Sequence, residues 1–235
     1  MQPSRRNLLG LAGVAVAAGA VGTWYATGHT PSTPALAATP APPDAPVVAA
    51  LPPTDPRVTE RALGRADTTT AVHEFFSLTC PHCAAFARES FPEIRAKLID
   101  TGKIRYVFHD FPLDQVALTA AMVARSLPPD RYEPFVSALL ASQDRWAFAR
   151  GVNSTEELAK MAALAGMSRA TFDATVADTA LRTALLQMQD QAVKQYKVDA
   201  TPYFVFAGPG GKTSNESGEK SYDQFAASVA KVAGT

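Results

Sequence analysis

Neither sign of charge is in excess in this chain, because 22 basic side chains face 22 acidic ones. A nucleic-acid surface built on net basic charge is therefore excluded, and so is an acidic tail. Cysteine is scarce, with 2 residues in 235, and histidine is limited to 4. Structural zinc takes four ligands in a tetrahedron. Cys80 and Cys83 have no second cysteine pair to complete such a site. His82 lies inside the pair itself, and His29 falls in the N-terminal segment. A disulfide between residues three apart also stabilises a fold little, because the loop it closes is short. No internal repeat is present. What the chain does have is 47% hydrophobic residues, enough for one core with a subdomain beside it.

The N-terminus reads as an address. Ser4-Arg5-Arg6-Asn7-Leu8-Leu9 opens an uncharged, Ala/Gly-rich stretch that runs to about Thr27, the pattern of an export signal. The arginine pair before leucines resembles a twin-arginine signal, with Leu8 and Gly10 in place of the commoner Phe and Lys. Ala35-Leu36-Ala37 supplies small residues for cleavage, so residues 1–37 are assigned to the signal. Left uncleaved, the stretch is long enough for a membrane anchor. Residues 38–56 belong to a Pro/Ala-rich run without periodicity, a linker extended by its prolines. Residues 57–235 are then the folded domain, and the periplasm is its expected location.

Within that domain, Ala71–Ser77 is short and rich in apolar and aromatic residues, as a strand buried on both faces would be. Pro81 stands at the first position of a helix, where proline is tolerated best. Ala84, Ala87, Phe91, Ile94 and Leu98 then mark one apolar helical face. Pro92 should kink this helix and Gly102 should end it. Ile104, Tyr106 and Phe108 alternate along a second strand, so strand, helix and strand form a parallel βαβ unit. Residues 114–197 read as a helical block. Its helices are expected at Asp114–Leu127, around Tyr132–Leu139, from a Ser154–Glu157 capping box to Gly166, after Ser168, and through Leu181–Ala192. Tyr203–Ala207 is a strand, Gly208–Gly211 a turn, and Lys212–Lys220 a weak final strand. A capping box at Ser221–Gln224 opens a terminal helix with Phe225 and Val229 inward.

The chemistry concentrates at Cys80-Pro81-His82-Cys83, where a strand passes into a helix. A free thiol has a pKa of about 8.5, which falls to roughly 3.5–7.5 beside a helix N-terminus or a cation. Cys80 at the N-cap meets unsatisfied backbone N–H groups, and His82 can add a hydrogen bond or a charge. Cys83, one turn further in, should be more buried and keep a higher pKa. Such a pair exchanges disulfides and needs no cofactor. Cys80 with His82 can alternatively hold a soft metal such as Cu(I), in a binding or chaperone-like module without turnover. His73 and His109, at strand positions, read as structural histidines with no recognisable nucleophile or metal partner. Trp146 and Phe148, between helices, either join the core or border a substrate groove.

Glu74-Phe75-Phe76-Ser77 before Cys80-Pro81-His82-Cys83, with Phe111-Pro112-Leu113, Thr201-Pro202 and Ser221-Tyr222-Asp223, resembles the DsbA-like thiol:disulfide oxidoreductases of the thioredoxin superfamily. The resemblance covers about residues 57–235. It implies an α/β thioredoxin-like fold with a helical insertion between the two halves of the sheet. It also implies that Cys80 is the exposed nucleophile, Cys83 its buried partner and His82 a tuning residue. Thr201-Pro202 would be a cis-proline loop that pairs with substrate peptide, and Glu74 a proton-transfer group beneath the cysteines, against the alternative of a solvated strand-end Glu. The implied partners are reduced or unfolded exported proteins and a membrane redox protein that reoxidises the pair, with the protein itself a monomer. Thr201 is shared with isomerases and reductases, and Thr79 replaces an aromatic common before the first cysteine. Both leave the direction of exchange open.

Overall fold

The computed structural model describes residues 55–234. The signal segment and nearly all of the linker lie outside the described residues. A five-stranded sheet runs in the order β1-β3-β2-β4-β5. β2 (Ala71–Phe76) is central, parallel to β3 (Arg105–Asp110) and antiparallel to β4 (Tyr203–Ala207). β5 (Thr213–Ser217) closes one edge and alternates between exposed and half-buried positions, which accounts for its weak sequence signal. At the other edge β1 (Arg61–Leu63) pairs antiparallel with β3. The sequence reading missed β1, because three residues are too few to show a period of two.

Alternation along β2 splits the core in two. Val72 and Phe76 join Tyr106, Phe108, Phe204 and Phe206 in the large cluster, whereas Phe75 joins Phe111, Tyr203 and Val205 on the opposite face. The connection from β2 to β3 begins with α1 (Pro81–Glu89). It breaks at Ser90, resumes as α2 (Phe91–Ile94) and ends in a π-helical turn, Arg95–Ile99. The expected kink therefore falls two residues before Pro92. Without an N–H, Pro92 cannot continue the ladder of the preceding turn. Gly102 follows with φ of 72°, a left-handed position suited to glycine.

Between β3 and β4 the chain forms α3 (Gln115–Ser126), α4 (Pro129–Ala141), α5 (Gln143–Trp146), α6 (Ser154–Leu164), α7 (Arg169–Ala177) and α8 (Thr179–Tyr196). Five of these agree with the sequence reading, and α5 does not appear in it. The cap of α6 is Asn153, whose Oδ1 accepts from the N–H groups of Thr155 and Glu156, and not the expected Ser154. Asn and Ser cap equally well, so the choice falls to backbone geometry. The Ser221–Gln224 box forms as expected and opens α9 (Tyr222–Ala233), with Phe225 buried against the sheet. Among the described residues no helix is long and apolar enough to cross a membrane.

Candidate active site

The turn that ends β2 delivers Cys80 to the N-cap of α1. Its N–H donates to the Ser77 carbonyl at 3.1 Å, and its own carbonyl accepts from Ala84 N–H at 3.2 Å. No side chain caps this helix. The N–H groups of the first turn are therefore free to face sulfur. The Cys80 thiol is displaced down to about 5. The first cause is a hydrogen bond from the Cys83 thiol. Burial opposes it, and the Thr201 side chain and the backbone N–H groups of Cys83 and His82 reinforce it. Cys83 moves the other way, well above the ordinary thiol range, chiefly because it is buried. Both cysteines are free thiols. The expectation of an outward Cys80 needs correction, since the residue is only 4% exposed and Cys83 is 0%. The cis-proline loop opposite covers the sulfur.

That loop is Thr201-Pro202, and its peptide bond is cis. The Cys80 thiol donates to the Thr201 carbonyl at 3.2 Å. The Thr201 hydroxyl is buried without a partner among the described residues. The two observations fit together. A thiol donates to the carbonyl, while a thiolate has nothing to donate and takes a hydrogen bond from the waiting hydroxyl.

Beneath the cysteines lies Glu74, which faces the larger core and is 5% exposed. The reading of a solvated strand-end Glu is overturned. Burial raises its pKa to about 7. The hydrogen bond from Tyr106 opposes that rise, and the Cys80 charge adds to it. Tyr106 Oη donates to Glu74 Oε2 at 2.8 Å. The charge of Glu74 in turn raises Cys83. Tyr106 was visible in the sequence only as an inward residue of a strand, and pairing Glu74 with it needs the register of β2 on β3.

His82 gives Cys80 its hydrogen bond from the backbone. Its side chain is 70% exposed and pairs with Glu219, Nδ1 to Oε2 at 3.3 Å, so only its backbone N–H serves Cys80. Pro81 holds the first helical position. Two further contacts tie the cysteine turn to the helical block. Thr79 Oγ1 donates to Asp114 Oδ2 at 2.7 Å, and Gln143 Nε2 donates to the carbonyls of Leu78 and Cys80 at 2.9 and 3.0 Å. Neither Asp114 nor Gln143 carried a functional signal in the sequence. Trp146 is core, with its indole N–H on the Leu139 carbonyl, whereas Phe148 is exposed. His73 Nδ1 and His109 Nε2 meet at 2.9 Å on the far face of the sheet and play a structural part there.

The thioredoxin family model matches residues 57–226. A Rickettsia prowazekii protein with the assigned name protein-disulfide oxidoreductase is 31% identical over 150 residues. That match takes in 63% of this chain and 54% of that protein, so the chain spans about half the length of this relative. The crystal structure of Wolbachia pipientis alpha-DsbA1 superposes with a TM-score of 0.68 at 30% identity, over 75% of this chain and 92% of that one. A protein-disulfide isomerase from Novosphingobium aromaticivorans superposes at 0.60 with 25% identity, covering 72% and 94%. With a cysteine pair at the N-cap of α1, a cis-proline loop above it and a helical block inserted before β4, the chain belongs to the thioredoxin family, among its DsbA-like members.

Proposed function

We propose that the protein is an exported thiol:disulfide oxidoreductase that donates the Cys80–Cys83 disulfide to reduced proteins outside the cytoplasm. The observation that carries this reading is the unequal placement of the two thiols, Cys80 at the uncapped N-terminus of α1 against the cis Thr201-Pro202 loop and Cys83 wholly buried. That placement displaces Cys80 down to about 5 and Cys83 well above the ordinary range. A thiolate exists only in the reduced form. Each unit by which Cys80 lies below the working pH therefore favours that form by about 1.4 kcal/mol, or about 30 mV toward a stronger oxidant.

In the proposed reaction a substrate thiolate attacks Cys80 Sγ of the oxidised pair. The Sγ–Sγ bond breaks, and Cys83 leaves with the electron pair. Glu74, balanced between its two protonation states near neutral pH, supplies the proton that Cys83 takes up. A second substrate thiolate attacks the substrate sulfur of the mixed disulfide and expels Cys80 as a stable thiolate. The substrate loses two electrons and gains a disulfide, and a membrane redox partner restores the pair. The cis-proline loop supports strand-like docking of the substrate backbone at Thr201. Its carbonyl is engaged by Cys80 only while that sulfur carries a proton, and it is free once the sulfur is a thiolate or part of a disulfide.

The test is the reduction potential of the pair against glutathione, measured with the ultraviolet titration of Cys80. A potential near that of thioredoxin, about −270 mV, together with a pKa near 8.5 would overturn the oxidase reading. Cys80→Ser should abolish oxidation of a reduced substrate protein. Retained activity would overturn the assignment of Cys80. The likeness to the Novosphingobium isomerase and the presence of Thr201 support isomerase or reductase action as a second reading. An intermediate potential with rescue of scrambled disulfides would select it.

A further inference from the structure

The cysteine turn is gripped from behind by a residue outside the thioredoxin core. Gln143 opens α5, the single helical turn between α4 and α6, and is 7% exposed. Its one carboxamide nitrogen spans two carbonyls, Leu78 at 2.9 Å and Cys80 at 3.0 Å, on either side of Thr79. The Cys80 carbonyl also accepts from Ala84 N–H, the first hydrogen bond of α1. A carboxamide nitrogen has two protons, and both are used here. Two buried carbonyls short of donors at this turn would each cost free energy and leave the turn free to shift. A donor placed on both offsets that cost.

Resting on the exchange reaction proposed above, we propose that Gln143 is a positioning residue for the Cys80–Cys83 couple. Its carboxamide holds the carbonyls on both sides of Thr79 and so fixes the turn, which keeps the N–H groups of His82 and Cys83 aimed at the Cys80 sulfur. The helical insertion, through this one side chain, sets how readily the pair accepts electrons. Thr79–Asp114, the other tie, reaches a side-chain hydroxyl and not the peptide of the nucleophile.

The test compares the full chain with Gln143→Met, which keeps the length of the side chain and removes both donors. Each protein is equilibrated with glutathione and titrated by thiolate absorbance, with circular dichroism to establish folding. We expect the Cys80 pKa of the variant to rise and its equilibrium constant to shift about tenfold toward the oxidised form, equivalent to about 30 mV. A folded variant with unchanged titration and equilibrium, even one that melts earlier, would make Gln143 a mere structural tie and overturn the proposal. Should the variant fail to fold, the Gln143 carboxamide resonances of the reduced wild-type chain decide. They should titrate with the Cys80 midpoint, and indifference to it would overturn the proposal. Because wild type and variant are compared with each other, failure here is distinct from a wild-type potential too low for an oxidase.

Discussion

Central strand β2 carries a titratable pair on each face, buried on one and half-buried on the other. Glu74 with Tyr106 lies on the face toward the cysteines, and His73 with His109 lies on the face toward Phe75 and Tyr196. Both pairs bridge β2 and β3, and burial biases both toward neutrality. Their consequences are opposite in sign. Glu74 is raised to about 7, first by burial. His109 is lowered to about 3, first by burial and then by His73 and Arg125, and His73 is lowered as well. A raised acid leaves stability intact below its unfolded pKa and costs stability as pH climbs through its folded one. A depressed base costs stability as pH falls below about 6.5. Only the first pair lies beside a thiol. Desolvation therefore leaves a raised acid beside a thiol on one face and an acid-sensitive packing contact on the other.

The strongest way to break this comparison is Glu74→Gln. The amide keeps the shape and the Tyr106 hydrogen bond but carries no transferable proton. Turnover of a reduced substrate protein should fall about 100-fold, the low end of what a positioned acid–base group contributes. The thermodynamic effect should have the other sign. The reduced variant should be more stable than wild type by about 3 kcal/mol at pH 8 and equal to it near pH 4, since the cost of ionising Glu74 builds up between pH 4.5 and about 7. Denaturant melts at the two pH values check this. A variant slowed but not stabilised at pH 8 would show that Glu74 is ionised at little cost.

The histidine face supplies the matched experiment. Replacing His109 by Gln removes the group that must be kept uncharged in acid. At pH 5 the variant should lose about 2 kcal/mol less stability than wild type, relative to pH 7.5, with turnover unchanged at neutral pH. Arg105 and Glu60 flank His73, and Arg125 faces His109, so the slope between pH 6.5 and 5 is the readout and not the absolute value. A parallel slope in the variant would mean that the pair accepts a proton without penalty, and the contrast between the two faces would vanish.

How much of this was legible beforehand depends on how far each contact reaches along the chain. Cys80 to Cys83, the proline at the first helical position and the strand before it are local, and the sequence states them outright. The Ser221–Gln224 cap is local too, and it forms as read. Thr201 was identified by resemblance, but its carbonyl as the acceptor of the Cys80 thiol depends on a contact across 121 residues. Tyr106 as the partner of Glu74 depends on strand register. That His82 reaches Cys80 by its N–H and not by its ring depends on the helix, on which the side chain turns outward while the N–H turns in. Gln143 was invisible for a related reason: α5 is too short to have a period, and a lone buried Gln looks like any surface Gln until its two carbonyls are in place.

The smallest effect tests the loop above the sulfur. Thr201→Val preserves the volume and branching of the side chain and removes the hydroxyl that has no partner in the thiol form. If that hydroxyl serves only the thiolate, the variant should leave the oxidised protein as stable as before or slightly more so, because a buried orphan is gone. The reduced protein alone should lose a charge-assisted hydrogen bond. That predicts a rise in the Cys80 pKa and a shift of about tenfold in the glutathione equilibrium toward the disulfide, about 1.4 kcal/mol. Equal destabilisation of both redox forms would instead assign the hydroxyl to packing of the loop. Glu74 and Thr201 would then differ in kind, with proton traffic governed from below the cysteines and nothing governed from above.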